Sequence, residues 1–175
     1  MALGTRALDW FFFVSFIAHI AVTGVNILLL MRVFFKGVLP ESVEEFTISG
    51  AKDVFDPLVP QENPPVWFLV IIVNEIVFHL PLFFLAVLAF YSQSAKYNWI
   101  RIPCMLYAAQ ALASIQQVMG EVLLIDYTNQ ELGPKTPAQR RVWLGINLPF
   151  LIMPLLLLVR TSLSTQMWPP KVKTQ

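Results

Sequence analysis

Charge is scarce in this chain: 13% of its 175 residues are Asp, Glu, Lys or Arg, whereas 57% are hydrophobic. Ordinary soluble domains carry about 25% charged residues. A water-soluble fold of this composition would leave much of its surface apolar and prone to association. Cysteine is scarcer still. Cys104 stands alone, which excludes a disulfide framework and a thiolate metal centre. The two histidines, His19 and His79, belong to no H-E-x-x-H or Ser-His-Asp set, and the glycines form no phosphate-cradling loop. No metal or cofactor is expected. The net charge of +1 provides no basic stripe to neutralise phosphates, so nucleic acid is not an expected partner. No N-x-S/T acceptor, internal repeat or low-complexity segment occurs.

What the chain does have is apolar runs of membrane-crossing length. A spanning helix needs about 20 residues, and four segments qualify: Trp10–Met31, Val66–Tyr91, Ile102–Ile125 and Trp143–Val159. Arg6 ahead of the first run imitates a signal peptide, but a run of about 22 residues exceeds the usual 7–15 of such a segment. It reads as a retained span. The last run is short and contains Pro149 and Pro154, which membrane helices tolerate where neighbours cover the freed carbonyls. Pro81 is expected to kink the second helix. Trp10, Trp67, Trp99, Trp143 and Trp168 fall near span ends, as an interfacial aromatic belt requires.

The expected fold is therefore an all-α integral membrane protein: one domain over 1–175, four transmembrane helices in a bundle, and a loop with a short helix between the first two. That connection, Arg32 to Pro65, is the only sizeable one and carries Glu41, Glu44, Glu45, Asp53, Asp56 and Glu62. Within it Ser42-Val43-Glu44-Glu45 resembles a capping box, predicting a short interfacial helix.

An even number of spans puts both termini on one side. The 12 Lys and Arg residues divide evenly between the two sides, so the positive-inside rule does not decide the orientation. The tail Lys171-Val172-Lys173-Thr174-Gln175 resembles a K-x-K-x-x retrieval signal, a receptor-read address rather than an anchor. Such a signal works only in the cytosol. It predicts a multi-pass protein of the endoplasmic reticulum membrane with both termini cytosolic and the acidic loop luminal.

Polar side chains inside spans are costly and usually face protein or a water-filled cavity. In the third helix Tyr107, Gln110, Ser114, Gln117 and Glu121 recur in steps of three or four, as Ser15, His19, Thr23 and Asn26 do in the first. The second helix adds Glu75 and His79, one turn apart, and the fourth adds Asn147. Their depths converge in the luminal half of the bundle, beneath the acidic loop. A polar roof over apolar walls is the usual composition of a small-molecule site. Ser15, Thr23 and Gln110 are read as glue between helices, His19 as a packing residue, and Glu121 as divided between the site and the headgroups. Glu75 differs: a carboxyl at that depth is neutral, paired with His79, or awaiting a cationic or hydroxylic ligand.

Several blocks in order resemble the EXPERA family, which contains the sigma-2 receptors and the emopamil-binding sterol isomerases. They are Asp56-Pro57-Leu58, Pro64-Pro65-Val66-Trp67-Phe68, Glu75-Ile76-Val77-Phe78-His79-Leu80-Pro81, Trp99-Ile100-Arg101-Ile102-Pro103 with Tyr107 following, and Pro149-Phe150 with Pro154. The resemblance implies a four-helix protein of the endoplasmic reticulum with a sterol- or amine-binding cavity open to the membrane. It places Asp56 as the loop acid that pairs with a ligand amine and Glu75 as the cavity glutamate. His79 stands where sigma-2 receptors have glutamine, and Tyr107, Ser114 and Phe150 fall at cavity-lining positions. The chain also departs from the pattern. Sigma-2 receptors carry an aspartate toward the luminal end of helix one, where the nearest candidate here is Asn26 with Ile27 beside it; the isomerases' histidine-then-glutamate order is reversed here, with Phe150 in place of their helix-four tryptophan. Asn147 resembles an isomerase asparagine.

Together these readings predict a protein that binds a sterol or related lipid, and cationic amphiphiles as a lesser class, in lipid homeostasis or trafficking. Its expected ligand-binding set is Asp56, Glu75, His79, Tyr107, Ser114, Gln117, Asn147, Phe150 and Asn26, with Asp56 and Glu75 as polar anchors and Lys171 and Lys173 as the retrieval signal. Two alternatives stand beside it. One is a Δ8–Δ7-type sterol isomerase using Glu75, His79 and Asn147. The other is a regulatory subunit or chaperone of another membrane protein, whose polar stripes serve packing against that partner or a second copy of the chain.

Overall fold

The computed structural model describes residues 3–35, 37–43, 45, 65–126 and 134–169. Four long helices account for most of them, and no strand occurs among the described residues. Helix α1 is Leu3–Phe34. Helix α2 runs Val66–Ser92 as one rod whose middle, Glu75–His79, is a widened π turn. A short 3₁₀ segment, Ala95–Ile100, leads into α3, Arg101–Leu124. Helix α4 is Pro137–Leu163. Of the expected interfacial helix, residues 41–43 and 45 are helical; the rest of that loop, with Asp56, lies outside the described residues, as do Lys171 and Lys173.

Two boundaries differ from the sequence expectation for a physical reason. Helix α4 starts six residues before Trp143 because Thr136 caps it. The Gln139 N–H donates to Thr136 Oγ1 at 3.2 Å and the Thr136 N–H to Gln139 Oε1 at 3.0 Å, a capping box with Pro137 pre-set in the first turn. Helix α1 likewise begins at Leu3, before the apolar run does. The kink expected at Pro81 takes the form of the π turn. Proline has no N–H and its ring crowds the carbonyl four residues back; just before it, the Leu80 N–H reaches the Glu75 carbonyl, five residues back. A widened turn of this kind absorbs the lost bond without breaking the helix.

Helices α1, α2 and α4 are each long and apolar enough to cross a membrane. Helix α3 has 24 residues, a reach of ~36 Å, but is less apolar because Gln110, Gln116 and Gln117 lie on its outward face. Packing divides the bundle into two pairs, α1 with α2 and α3 with α4. Two layers of buried side chains join them. One layer, at the end holding the first turns of α1, contains Phe12, Phe16, Phe83, Phe90, Tyr107, Met153, Leu157 and Trp168. The other, toward the opposite end, contains Leu29, Phe68, Ile72, Val118, Val122 and Trp143.

The first layer is closed by the chain beyond α4. Trp168 is fully buried, meets the Phe90 ring edge-on at 5.2 Å, and donates its indole N–H to Asp9 Oδ2 at 3.0 Å. Asn98 bonds both the Trp168 N–H and its carbonyl. Arg160 stands 3.6 Å from Asp9 Oδ1 and donates to the Met167 carbonyl. These contacts place the start of α1, the α2–α3 connection and the end of α4 at one end of the bundle. They also correct the belt reading of two tryptophans. Trp168 and Trp143 are buried, whereas Trp10 and Trp99 are about half exposed and suit an interface.

Trp168→Ala is expected to lower stability by about 3–5 kcal/mol through the cavity it leaves. Trp168→Phe should cost about 1–3 kcal/mol through the orphaned carboxylate acceptor. Thermal unfolding in nanodiscs compares the two.

Candidate functional site

Between the two packed layers the helices separate around a cavity of about 180 Å³. A single water needs roughly 10–15 Å³ of such space, so this is more than a packing defect. All four helices line it. From α1 come His19, Val22, Val25, Asn26 and Leu29; from α2, Phe68, Ile71, Ile72, Glu75, His79 and Phe83; from α3, Tyr107, Ala111, Ser114, Ile115 and Val118; from α4, Asn147 and Phe150. Most of the lining is aliphatic and aromatic; the polar side chains are His19 and Asn26 of α1, Glu75 and His79 of the widened turn of α2, Tyr107 and Ser114 of α3, and Asn147 of α4.

Glu75 is the hub of those polar groups. Thr23 Oγ1 lies 2.5 Å from Glu75 Oε1, and Asn26 Nδ2 donates to Oε2 at 2.9 Å. Thr23 Oγ1 also lies 2.9 Å from the His19 carbonyl, and His19 Nδ1 lies 2.7 Å from the Ser15 carbonyl. One carboxyl thus fastens α1 to α2 at mid-depth. One turn along, the His79 ring packs edge-to-face on Tyr107 at 4.8 Å, with the Gln110 side chain near it. Its Nε2 has no hydrogen-bond partner among the described residues, and the residue is only 8% exposed. On α4, Asn147 lines the cavity and donates its amide N–H to the Trp143 carbonyl at 3.0 Å. His19 and Phe150 meet ring to ring at 5.3 Å across the lining.

Of the residues expected at the site, Asn26, Glu75, His79, Tyr107, Ser114, Asn147 and Phe150 line one cavity. Gln117 does not. It faces outward, because the lining face of α3 follows Tyr107, Ala111, Ser114 and Val118 and a neighbouring position is rotated by about 100°. Two residues read as packing belong to the site. Thr23 does glue helices together, and the group it holds is Glu75; His19 lines the cavity itself. The signal that could have found them was the spacing: His19, Thr23 and Asn26 share one face of α1, which a deep acid on a neighbouring helix needs for donors.

Among the described residues, no Lys, Arg or Cys lines the cavity, and no cluster of three metal-ligating side chains occurs. The arrangement can hold an apolar body with a small number of hydrogen-bonding groups.

Comparison with known proteins agrees with this picture. The EXPERA family (EXPanded EBP superfamily) matches residues 38–161. Sigma intracellular receptor 2 of Xenopus tropicalis is 29% identical over 163 residues, covering 91% of this chain and 90% of that protein. The proteins of the same name from Macaca fascicularis and Homo sapiens are each 28% identical over 158 residues, covering 88% of this chain and 86% of theirs.

Thr23→Val and Asn26→Leu are each expected to destabilise the fold by about 1–3 kcal/mol. Each should couple to Glu75→Gln rather than add to it, with a coupling of about 0.5–3 kcal/mol. A double-mutant cycle by thermal unfolding measures this; additive losses would mean that α1 does not hold the carboxyl.

Proposed function

The chain belongs to the EXPERA family, and on that premise we propose that it is a four-span protein of the endoplasmic reticulum membrane that binds a sterol or related lipid in its intramembrane cavity. Its role on this reading is in sterol or lipid homeostasis or trafficking. The observation that carries the proposal is the cavity itself: a space between two packed layers, walled mainly by apolar and aromatic side chains, with a small number of polar side chains contributed by all four helices. A largely apolar ligand with few polar groups matches that composition. The relatives are named as receptors, which supports a receptor-like role over a catalytic one.

Several parts of the proposal rest on sequence. The four-span count takes α3 as a span despite its outward glutamines. The address rests on Lys171 and Lys173, and Asp56 is proposed as a loop acid above the cavity. A lipid or membrane-protein partner, or a second copy of the chain, would cover the amides of Gln116 and Gln117, which hydrocarbon alone would leave unpaired. The isomerase reading has one observation in its favour: Glu75, His79 and Asn147 line the same space. Incubation with an unsaturated sterol, followed by product analysis, separates that reading from binding alone.

Topology is tested by labelling. Lys96 and Lys135 flank α3 and are exposed, while the native Cys104 is buried and should stay silent. Lys96→Cys is expected to react with an impermeant maleimide from the cytosol, and Lys135→Cys only after the luminal face is opened. Reaction of both from one side would show that α3 does not cross.

Occupancy is tested by filling the cavity. Ala111→Trp projects an indole from the α3 wall and is expected to reduce labelling by a photoreactive sterol by about tenfold or more, with the melting temperature held near wild type. Undiminished labelling in a folded variant would move the ligand elsewhere.

A further inference from the structure

We propose that His79 is the polar group that meets the ligand and gives the cavity a preference for a neutral, hydroxyl-bearing amphiphile over a cation, while Glu75 is a closed internal node that positions α1 against α2. The inference rests on the reading that the cavity holds a sterol or related lipid, and it adds what the polar groups of that cavity select.

The hydrogens around Glu75 can be counted. Thr23 Oγ1 is within bonding distance of two oxygens, the His19 carbonyl at 2.9 Å and Glu75 Oε1 at 2.5 Å. A hydroxyl has one hydrogen to give. A carbonyl can only accept, so both contacts are satisfied together when Thr23 donates to the His19 carbonyl and accepts a hydrogen from the carboxyl. Asn26 then donates to the remaining carboxyl oxygen. In that arrangement every member of the set is paired within the chain. Among the described residues no Lys or Arg lines the cavity to compensate an ionised carboxylate, and an unpaired charge in an apolar interior is far more costly than a neutral hydrogen-bonded group. Glu75 therefore offers an incoming cation little. A ligand ammonium would have to break the α1 contacts to gain a counter-ion.

His79 is in the opposite condition. It lines the cavity, it is more than nine-tenths buried, and its Nε2 has no partner among the described residues. Buried polar atoms are nearly always paired, so an unpaired one in a ligand-sized cavity points to a partner that arrives with the ligand. The ring is already oriented, edge-on to Tyr107 and beside Phe83. A hydroxyl both donates and accepts, so it satisfies Nε2 in either tautomer. An ammonium only donates and a ketone only accepts, so each suits one tautomer at most.

The test uses three steroids with one ring system, carrying a 3-hydroxyl, no 3-substituent, or a 3-ammonium. Each competes with a photoreactive sterol on the full-length protein in nanodiscs. Wild type is expected to bind the hydroxysteroid about tenfold more tightly than the deoxy compound, with the ammonium compound no tighter than the deoxy one. His79→Phe keeps the ring shape and should erase the hydroxyl preference while holding deoxy affinity within about twofold. His79→Gln, which restores a hydrogen-bonding group, should recover part of it. Glu75→Gln should leave the preference intact, although the protein is less stable. Survival of the preference in His79→Phe, its loss in Glu75→Gln, or tighter binding of the ammonium compound in wild type would each overturn the proposal while leaving the lipid-binding cavity standing. Failure of all three steroids to compete, even on wild type, would remove the cavity reading and this proposal with it.

Discussion

The constraint on which this structure turns is the placement of a carboxyl inside an apolar helix bundle. Hydrocarbon gives helices no hydrophobic reason to associate, since lipid tails are as apolar as leucine; close packing and polar ties decide the arrangement. Glu75 is such a tie. It draws Thr23 and Asn26 of α1 onto the middle of α2, and α1 with α2 is one of the two helix pairs that make up the bundle. The tie sits at the first residue of the widened turn. Pro81 removes a donor from the α2 backbone, and the π turn that accommodates the loss also sets the relative bearing of Glu75 and His79. One residue that acts only on the backbone thereby shapes where two of the cavity's polar groups lie.

A second buried carboxyl governs the other end. Asp9 receives the Trp168 indole N–H and faces Arg160, so the chain beyond α4 folds back over the aromatic layer built on Phe12, Phe16, Phe83 and Phe90. The two acids divide the bundle's work. Asp9 closes a densely packed end around a large aromatic, whereas Glu75 holds two helices together without filling the space beside them. The cavity is a consequence of that difference. Phe83 and Tyr107 bound it from the aromatic layer, and Leu29, Phe68, Ile72 and Val118 bound it from the other.

Much of this was legible in the sequence, because bilayer thickness and helix periodicity are strong constraints. The four long helices, the convergence of Asn26, Glu75, His79, Ser114 and Asn147, and the disturbance at Pro81 all follow from run length, spacing and proline chemistry. What escaped was of two physical kinds. Rotation around a helix is finely graded, and a step-of-three-or-four pattern tolerates drift; Gln117 fits the α3 stripe by counting yet faces outward. Function and packing also use the same side chains. Thr23 reads as glue and is glue, but periodicity alone does not say that what it holds is the cavity's carboxyl. Trp168 reads as interfacial because tryptophans near span ends usually are. Its burial depends on Asp9, far away in sequence, and no local pattern announces that partner.

The position of Asn26 links the family resemblance to the geometry. The resemblance leads one to expect an aspartate toward that end of α1, where Asn26 is the nearest candidate and Ile27 stands beside it. An aspartate there and Glu75 cannot readily both be ionised, and together they suit a cationic guest that sits between them. An amide changes the logic. It can donate, so it pairs directly with Glu75 Oε2 and makes the two side chains partners rather than competitors. The loss of one acid and the internal pairing of the other are then a single change in chemistry. Histidine at position 79, where the resemblance leads one to expect glutamine, adds a ring nitrogen with no partner among the described residues to the same cavity. The fold and the cavity depend on apolar layers and a helix tie, and here the amide–acid pair of Asn26 and Glu75 contributes that tie.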